Sequence, residues 1–128
     1  MKRREPSKAP QNPAETFSPL TPAVFCILIA LAEGERHGYA IMREATKRSG
    51  GTVRLGPGTL YVAISRMLKE GLIVECEERP DPARDDSRRR YYRLTGRGSR
   101  ALAAEANRLG NLARLAQSTR AVRELKHA

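Results

Sequence analysis

The 128-residue chain predicts a mainly helical fold with one small β-hairpin: a winged helix-turn-helix followed by a long C-terminal helix. Three observations carry that expectation. Three short apolar-periodic segments lie between residues 20 and 71, parted by glycine-containing breaks. A period of two then replaces the helical period over residues 72–94. From Thr95 a helical stripe returns and runs towards the C-terminus.

Residues 1–18 are rich in proline, basic and polar residues and lack apolar periodicity, which predicts a disordered tail. Lys2, Arg3 and Arg4 read as solvated charges of that tail. The domain itself is expected over 19–95. Thr21 is placed to cap a helix whose first position is Pro22. Residues 23–32 (AVFCILIALA) are apolar on every side, predicting a helix buried all round, in part against another subunit. Gly34 stops it. A second helix opens at His37-Gly38-Tyr39 and runs to Arg48, with Ala40, Ile41 and Ala45 inward. His37 there reads as structural, and Tyr39 as either a packing residue or a phosphate contact. Ser49, Gly50 and Gly51 end that helix. The third helix spans 57–70 after the break at Gly56-Pro57-Gly58, with Leu60, Ile64 and Met67 as its core stripe.

Beyond Gly71, Leu72, Val74 and Cys76 alternate with Ile73, Glu75 and Glu77, then PDPARDDS supplies a turn and RRRYYRL a second strand. Residues 72–94 therefore predict a hairpin, the wing. Residues 96–128 form the last unit, a helix and tail with Leu102, Ala106, Leu109, Leu112 or Ala113, and Ala116 on one stripe. So small a domain cannot cover a helix of that length, so the stripe reads as a seam between two copies.

Charge bears on partners rather than on fold. The chain holds 24 basic and 14 acidic residues, a formal +10 that would attract nucleic acid, an acidic protein or an anionic membrane. The excess is uneven. Residues 51–83 are net −1 (four basic, five acidic), whereas residues 84–100 are net +5 (seven basic, two acidic). The longest apolar run is ten residues, half of the roughly 20 a membrane helix needs, and no signal-type cleavage site follows it. Cys26 and Cys76, fifty positions apart without a Cys-x-x-Cys, predict neither a zinc site nor a disulfide but two small buried hydrophobes. A cytoplasmic chain without cofactor is expected. No paired carboxylates, activated nucleophile, metal-ligand spacing or P-loop ending is present, so catalysis is not expected.

The third helix carries the functional signal. At about 100° per residue, Val62, Ser65, Arg66 and Lys69 oppose the core stripe, with Thr59 and Tyr61 on the flanks. Small hydroxyls, an aromatic edge and two cations suit a helix in a DNA major groove. Arg84, Arg88, Arg89 and Arg90 crowd the hairpin turn, where a wing meets phosphates or a minor groove.

The segments LTPAVFCILIALAEGERHGYAIM, GPGTLYVAISRMLKEGLI and RRRYYRLTGRG together resemble the PadR family of winged-helix transcriptional regulators. The shared elements are Leu20 to Pro22, His37 to Tyr39, Pro57 to Tyr61, Glu70 to Ile73 and Tyr91 to Gly98, in order over about 80 residues. Val62 stands where family members often have proline, Leu68 where an acidic residue is frequent, and Ala45 where a larger aliphatic is usual. The resemblance implies a homodimeric, sequence-specific regulator, expected to be a repressor of a double-stranded operator. It would contact DNA through Tyr39, Thr59, Tyr61, Ser65, Arg66 and Lys69, and through wing residues Arg88, Arg89 and Arg90. It also implies an interface built from the first helix (Leu20, Val24, Leu28) and the last (Leu102, Leu109, Leu112, Ala116), with any small-molecule effector nearby. The competing expectation is a winged-helix protein-interaction module that no longer reads DNA.

Overall fold

The computed structural model describes residues 15–76, 79–80 and 88–126. Helix α1 (Pro22–Ala32) starts as the sequence predicts: Thr21 Oγ1 accepts the Val24 N–H at 3.2 Å and Pro22 occupies the first turn. Ile27, Leu28, Ala30 and Leu31 enter the core. Phe25, Cys26 and Ile29 are only half-buried and lie outside the core cluster, so α1 is not buried all round within one subunit. Leu28, expected at a subunit interface, is 0% exposed, because it points into its own domain and has no surface left for a partner.

A two-residue strand β1 (Arg36–His37) leads into α2 (Gly38–Arg48). His37 caps that helix, its Nδ1 accepting the Ala40 N–H at 3.2 Å, while its ring meets Tyr91 edge-on at 5.3 Å. The structural role expected of it is the one observed. Ile41 and Ala45 are buried, Ala40 only partly. Helix α3 (Pro57–Lys69) buries Leu60, Ala63, Ile64 and Met67. Gly71, at φ 75°, turns the chain out of it, and Leu72 N–H closes the turn on Met67 O at 3.0 Å.

The wing follows as β2 (Ile73–Glu75), β3 (Arg79–Pro80), β4 (Arg88–Arg89) and β5 (Tyr91–Leu94). Strand β5 lies between β1 and β2, and β3 pairs with β4. The third strand was not foreseen, since two residues carry no periodic signal. The face assignment also differs from the alternation. Ile73, paired with Leu94, is the buried residue, and Tyr92 shares its face; Val74 and Cys76 stay half-buried on the other. Leu72 is buried as part of the turn rather than of the strand.

Helix α4 (Gly96–Ser118) is capped by Thr95, whose Oγ1 accepts the Gly98 N–H at 3.0 Å. It packs on α1 and buries Gly98, Ala101 and Glu105, whereas Ala106, on the predicted stripe, is exposed and Leu102 half-buried. Small residues let the helix come close: a Cβ on Gly98 would fall 2.0 Å from Leu72 O. Glu105 is buried but satisfied, held by Arg108 at 2.9 and 2.6 Å and by the Leu20 N–H. The predicted single final helix breaks at extended Thr119 and resumes as α5 (Arg120–Lys126). Two successive hydroxyls bond back there, Ser118 to Leu115 O and Thr119 to Ala116 O, competing with helix continuation.

The tail boundary also moves. Glu15 receives hydrogen bonds from Arg97 (3.0 Å) and Arg100 (2.8 Å), and Phe17 packs on the core beneath the Arg97 guanidinium at 4.9 Å. Residues 15–18 are thus part of the folded domain; Lys2, Arg3 and Arg4 lie outside the described residues.

Candidate nucleic-acid interface

Helix α3 is held by its apolar face alone, which leaves the other for a partner. Thr59, Tyr61, Val62, Ser65, Arg66 and Lys69 are all exposed, Val62 at 70% and Tyr61 at 59%. Leu68 is also at the surface. The helix begins on Gly56, which offers no side-chain cap, so the first-turn N–H groups and the positive end of the helix dipole face outward.

Tyr61 reaches across to α2. A Cβ on Gly38 would meet its hydroxyl at 3.8 Å, so glycine leaves room for the phenol beside the start of α2. Tyr39, half-exposed, follows directly in sequence and carries the Arg43 guanidinium 5.4 Å from its ring. The fold therefore brings Tyr61 to the start of α2, next to the residue preceding Tyr39, and adds Arg43 over the Tyr39 ring. The sequence offered a signal for that cation, the i, i+4 spacing from Tyr39.

Arg66 is on the flank of α3 that faces the N-terminal segment, its Nε 3.5 Å from Glu70 Oε2. The pair is exposed and loose, worth about 0.5 kcal/mol, so the guanidinium is easily drawn to another acceptor. On the wing, Arg90 Nε lies 3.7 Å from Glu75 Oε2. Burial raises the Tyr92 hydroxyl above its ordinary pKa, with the Glu75 carboxylate adding to the shift. Backbone pairing places Arg88 and Arg89 in β4 at the far end of the wing; their side chains and Arg84 lie outside the described residues.

The net charge of segment 84–100 overstates what this surface offers. Arg97 and Arg100 are held by Glu15, and Arg97 Nε also donates to Glu70 O at 3.1 Å. The Arg100 hydrogen bond holds the Glu15 carboxyl below its ordinary pKa.

A second surface is apolar. Leu109, Leu112 and Ala116 extend the stripe of buried Gly98, Ala101 and Glu105, but beyond the reach of the domain. Leu109, Leu112 and Leu115 are exposed, Leu115 at 65%. Leu20, Val24 and Leu102 pack against the subunit's own core and stay half-buried. Among the described residues no group of three or more His, Cys, Asp or Glu could hold a metal, and no helix is long and apolar enough to cross a membrane. Cys26 and Cys76 are thiols outside any disulfide, and both are half-buried rather than buried.

Residues 27–104 match the transcriptional regulator PadR-like family, from the middle of α1 through the wing into α4. The chain belongs to the PadR-like family of transcriptional regulators. A transcriptional regulator of Mycobacterium tuberculosis is 36% identical over 88 residues, 69% of this chain and 76% of that protein. An uncharacterised protein of a Streptomyces fradiae transposon is 38% identical over 90 residues, 70% of this chain but only 24% of its own length. The chain thus spans about a quarter of that relative. A PadR family transcription regulator of Clostridium difficile has 25% identity and a TM-score of 0.61, covering 73% of this chain and 92% of that one. Bacillus subtilis PadR, solved with operator DNA, shares the fold at a TM-score of 0.54 and 23% identity, over 62% of this chain and 43% of that one. Membership in the PadR-like family places the chain among transcriptional regulators.

Proposed function

We propose that this PadR-like regulator binds double-stranded DNA as a homodimer, with α3 in the major groove and the β2–β5 wing on the flanking backbone, and that it acts as a repressor. The observation that carries the reading is the exposed outer face of α3, where hydroxyls, an aromatic ring and two cations stand on a helix anchored by its other side. Thr59, Tyr61, Ser65 and Arg66 meet bases or nearby phosphates, Lys69 and Tyr39 the backbone. Arg88, Arg89 and Arg90 anchor the wing. A PadR of the same fold was solved with operator DNA, which supports DNA binding.

The dimer forms through the uncovered apolar surfaces: Leu109, Leu112 and Ala116 on α4, joined by Leu115, and Phe25, Cys26 and Ile29 on α1 in place of Leu28. Two α3 helices related by such a dimer would address half-sites about 34 Å apart, or a multiple of that. The test is fluorescence anisotropy with a fragment of the gene's upstream region and a scrambled fragment, at two salt concentrations. Tight, salt-sensitive binding that prefers the native fragment is expected. Equal, weak binding to both would favour the protein-interaction module.

A further inference from the structure

The turn that leaves α3 is closed in two stages. Its first carbonyls are met locally: Arg66, Met67 and Leu68 O accept from Glu70, Leu72 and Gly71 N–H at 3.0, 3.0 and 3.2 Å. The carbonyls of residues 70, 71 and 72 are met from the start of α4. Glu70 O accepts from Arg97 Nε at 3.1 Å, Gly71 O from Thr95 Oγ1 at 2.5 Å, and Leu72 O from Thr95 N at 3.1 Å. The Thr95 hydroxyl is used twice, since it also accepts the Gly98 N–H as the cap of α4. Gly98 lies against Leu72 O with no room for a Cβ, and a Cβ on Gly71 would meet Arg97 Cδ at 3.8 Å. Arg97 is itself braced from outside, by Glu15 Oε2 at 3.0 Å and by the Phe17 ring 4.9 Å from its guanidinium.

Three successive carbonyls given to one neighbouring helix make a joint with little freedom, because any rotation of α4 strains all three bonds together. From this we infer, resting on the DNA-bound dimer proposed above, that Thr95 and Arg97 are positioning residues for recognition. They lock α3 to α4, so that the seam between subunits fixes the distance and angle between the two α3 helices. The half-site spacing that the protein accepts is fixed with them, although neither residue has to touch DNA. The lever is short and stiff: α4 runs unbroken from Gly98 to exposed Leu112, fourteen positions or roughly 21 Å. Adding one base pair between half-sites moves the second by about 3.4 Å and turns it by roughly 35°. A locked joint does not follow that displacement; a loosened one does.

The test uses the full-length protein and duplexes carrying the half-sites that wild type selects from a randomised library, set at the selected spacing and one base pair shorter or longer. Anisotropy should show wild type losing about tenfold or more at either altered spacing, the cost of misplacing a half-site. The double variant Thr95→Ala with Arg97→Ala should lose about threefold or less, and Arg97→Ala alone an intermediate amount. Thr95→Ser keeps the hydroxyl and should behave as wild type. The charge lost at Arg97 weakens every spacing alike, so the ratio between spacings is what is read. Thr95→Ala also removes a helix cap; melting temperature is measured for each variant, and Arg97→Ala, which leaves the cap intact, decides the matter where the double variant does not fold. If the folded variants keep the wild-type ratios, or wild type binds all three spacings equally, the joint is overturned while the DNA-binding reading stands. If wild type prefers no sequence over another, that reading fails and the joint falls with it.

Discussion

Gly98 shows how one missing side chain joins two parts of the fold. Its Cα faces Leu72 O so closely that a methyl group would overlap it at 2.0 Å, and the Leu94 side chain closes the other side at 3.0 Å. Backbone cannot yield as a flexible side chain does, so Gly98→Ala should cost about 3 kcal/mol and lower the thermal midpoint by about 10 °C in a calorimetric scan. At the other end of the site, Arg66 is the residue with a guanidinium free enough to read a base edge, since only an exposed pair with Glu70 restrains it. Arg66→Ala should cost about 1–3 kcal/mol against the preferred operator and much less against scrambled DNA, measured by competition binding. A variant that kept both affinity and preference would remove Arg66 from the recognition surface.

At the scale of elements, helix existence was legible because cap and stripe agree: Thr21 and Pro22 for α1, Gly56 and Pro57 with Leu60, Ile64 and Met67 for α3. Which face of α4 packs inward was not legible. Leucine outweighs glycine, alanine and glutamate in any hydropathy stripe, yet close approach needed the small residues Gly98 and Ala101, and Arg108 made Glu105 fit to bury. The docking of residues 15–18 was hidden for a related reason, because Glu15 and its arginines lie more than 80 positions apart. The exposed face of α3, by contrast, followed from the spacing alone, whereas the side chains of Arg88 and Arg89 lie outside the described residues.

Two predictions belong to these elements. Arg108 and Leu20 hold the Glu105 carboxyl below its ordinary 4.5, as Arg100 does for Glu15. Groups with lowered folded pKa values stabilise fully above the ordinary value and cease to do so as pH falls through the lowered one. Thermal stability should therefore drop as pH is taken from 5 towards 3 (about one unit either side of the usual carboxylate range), and Glu105→Gln should flatten that drop. Further along the same stripe of α4, beyond the domain, Leu112→Glu puts a charge among exposed leucines. Sedimentation should show the wild type as a dimer and this variant as a monomer with an unchanged helical spectrum.

On the scale of the whole molecule, a formal +10 says only that anions are welcome. The fold decides where. Glu15, Glu44 and Glu75 pair with arginines off α3 and Glu70 holds Arg66 only loosely, so among the described residues the outer face of α3 is where exposed hydroxyls and cations meet on a rigid element. The dimer would present that face twice, and the symmetry of the protein should then be written into its binding site.

In vitro selection from a randomised duplex library tests this most directly. The account predicts enrichment of one inverted repeat whose half-sites are centred about 10 base pairs apart, or a multiple of that. Recovery of duplexes with no shared sequence, held only at low salt, would contradict it and leave charge as the sole attraction.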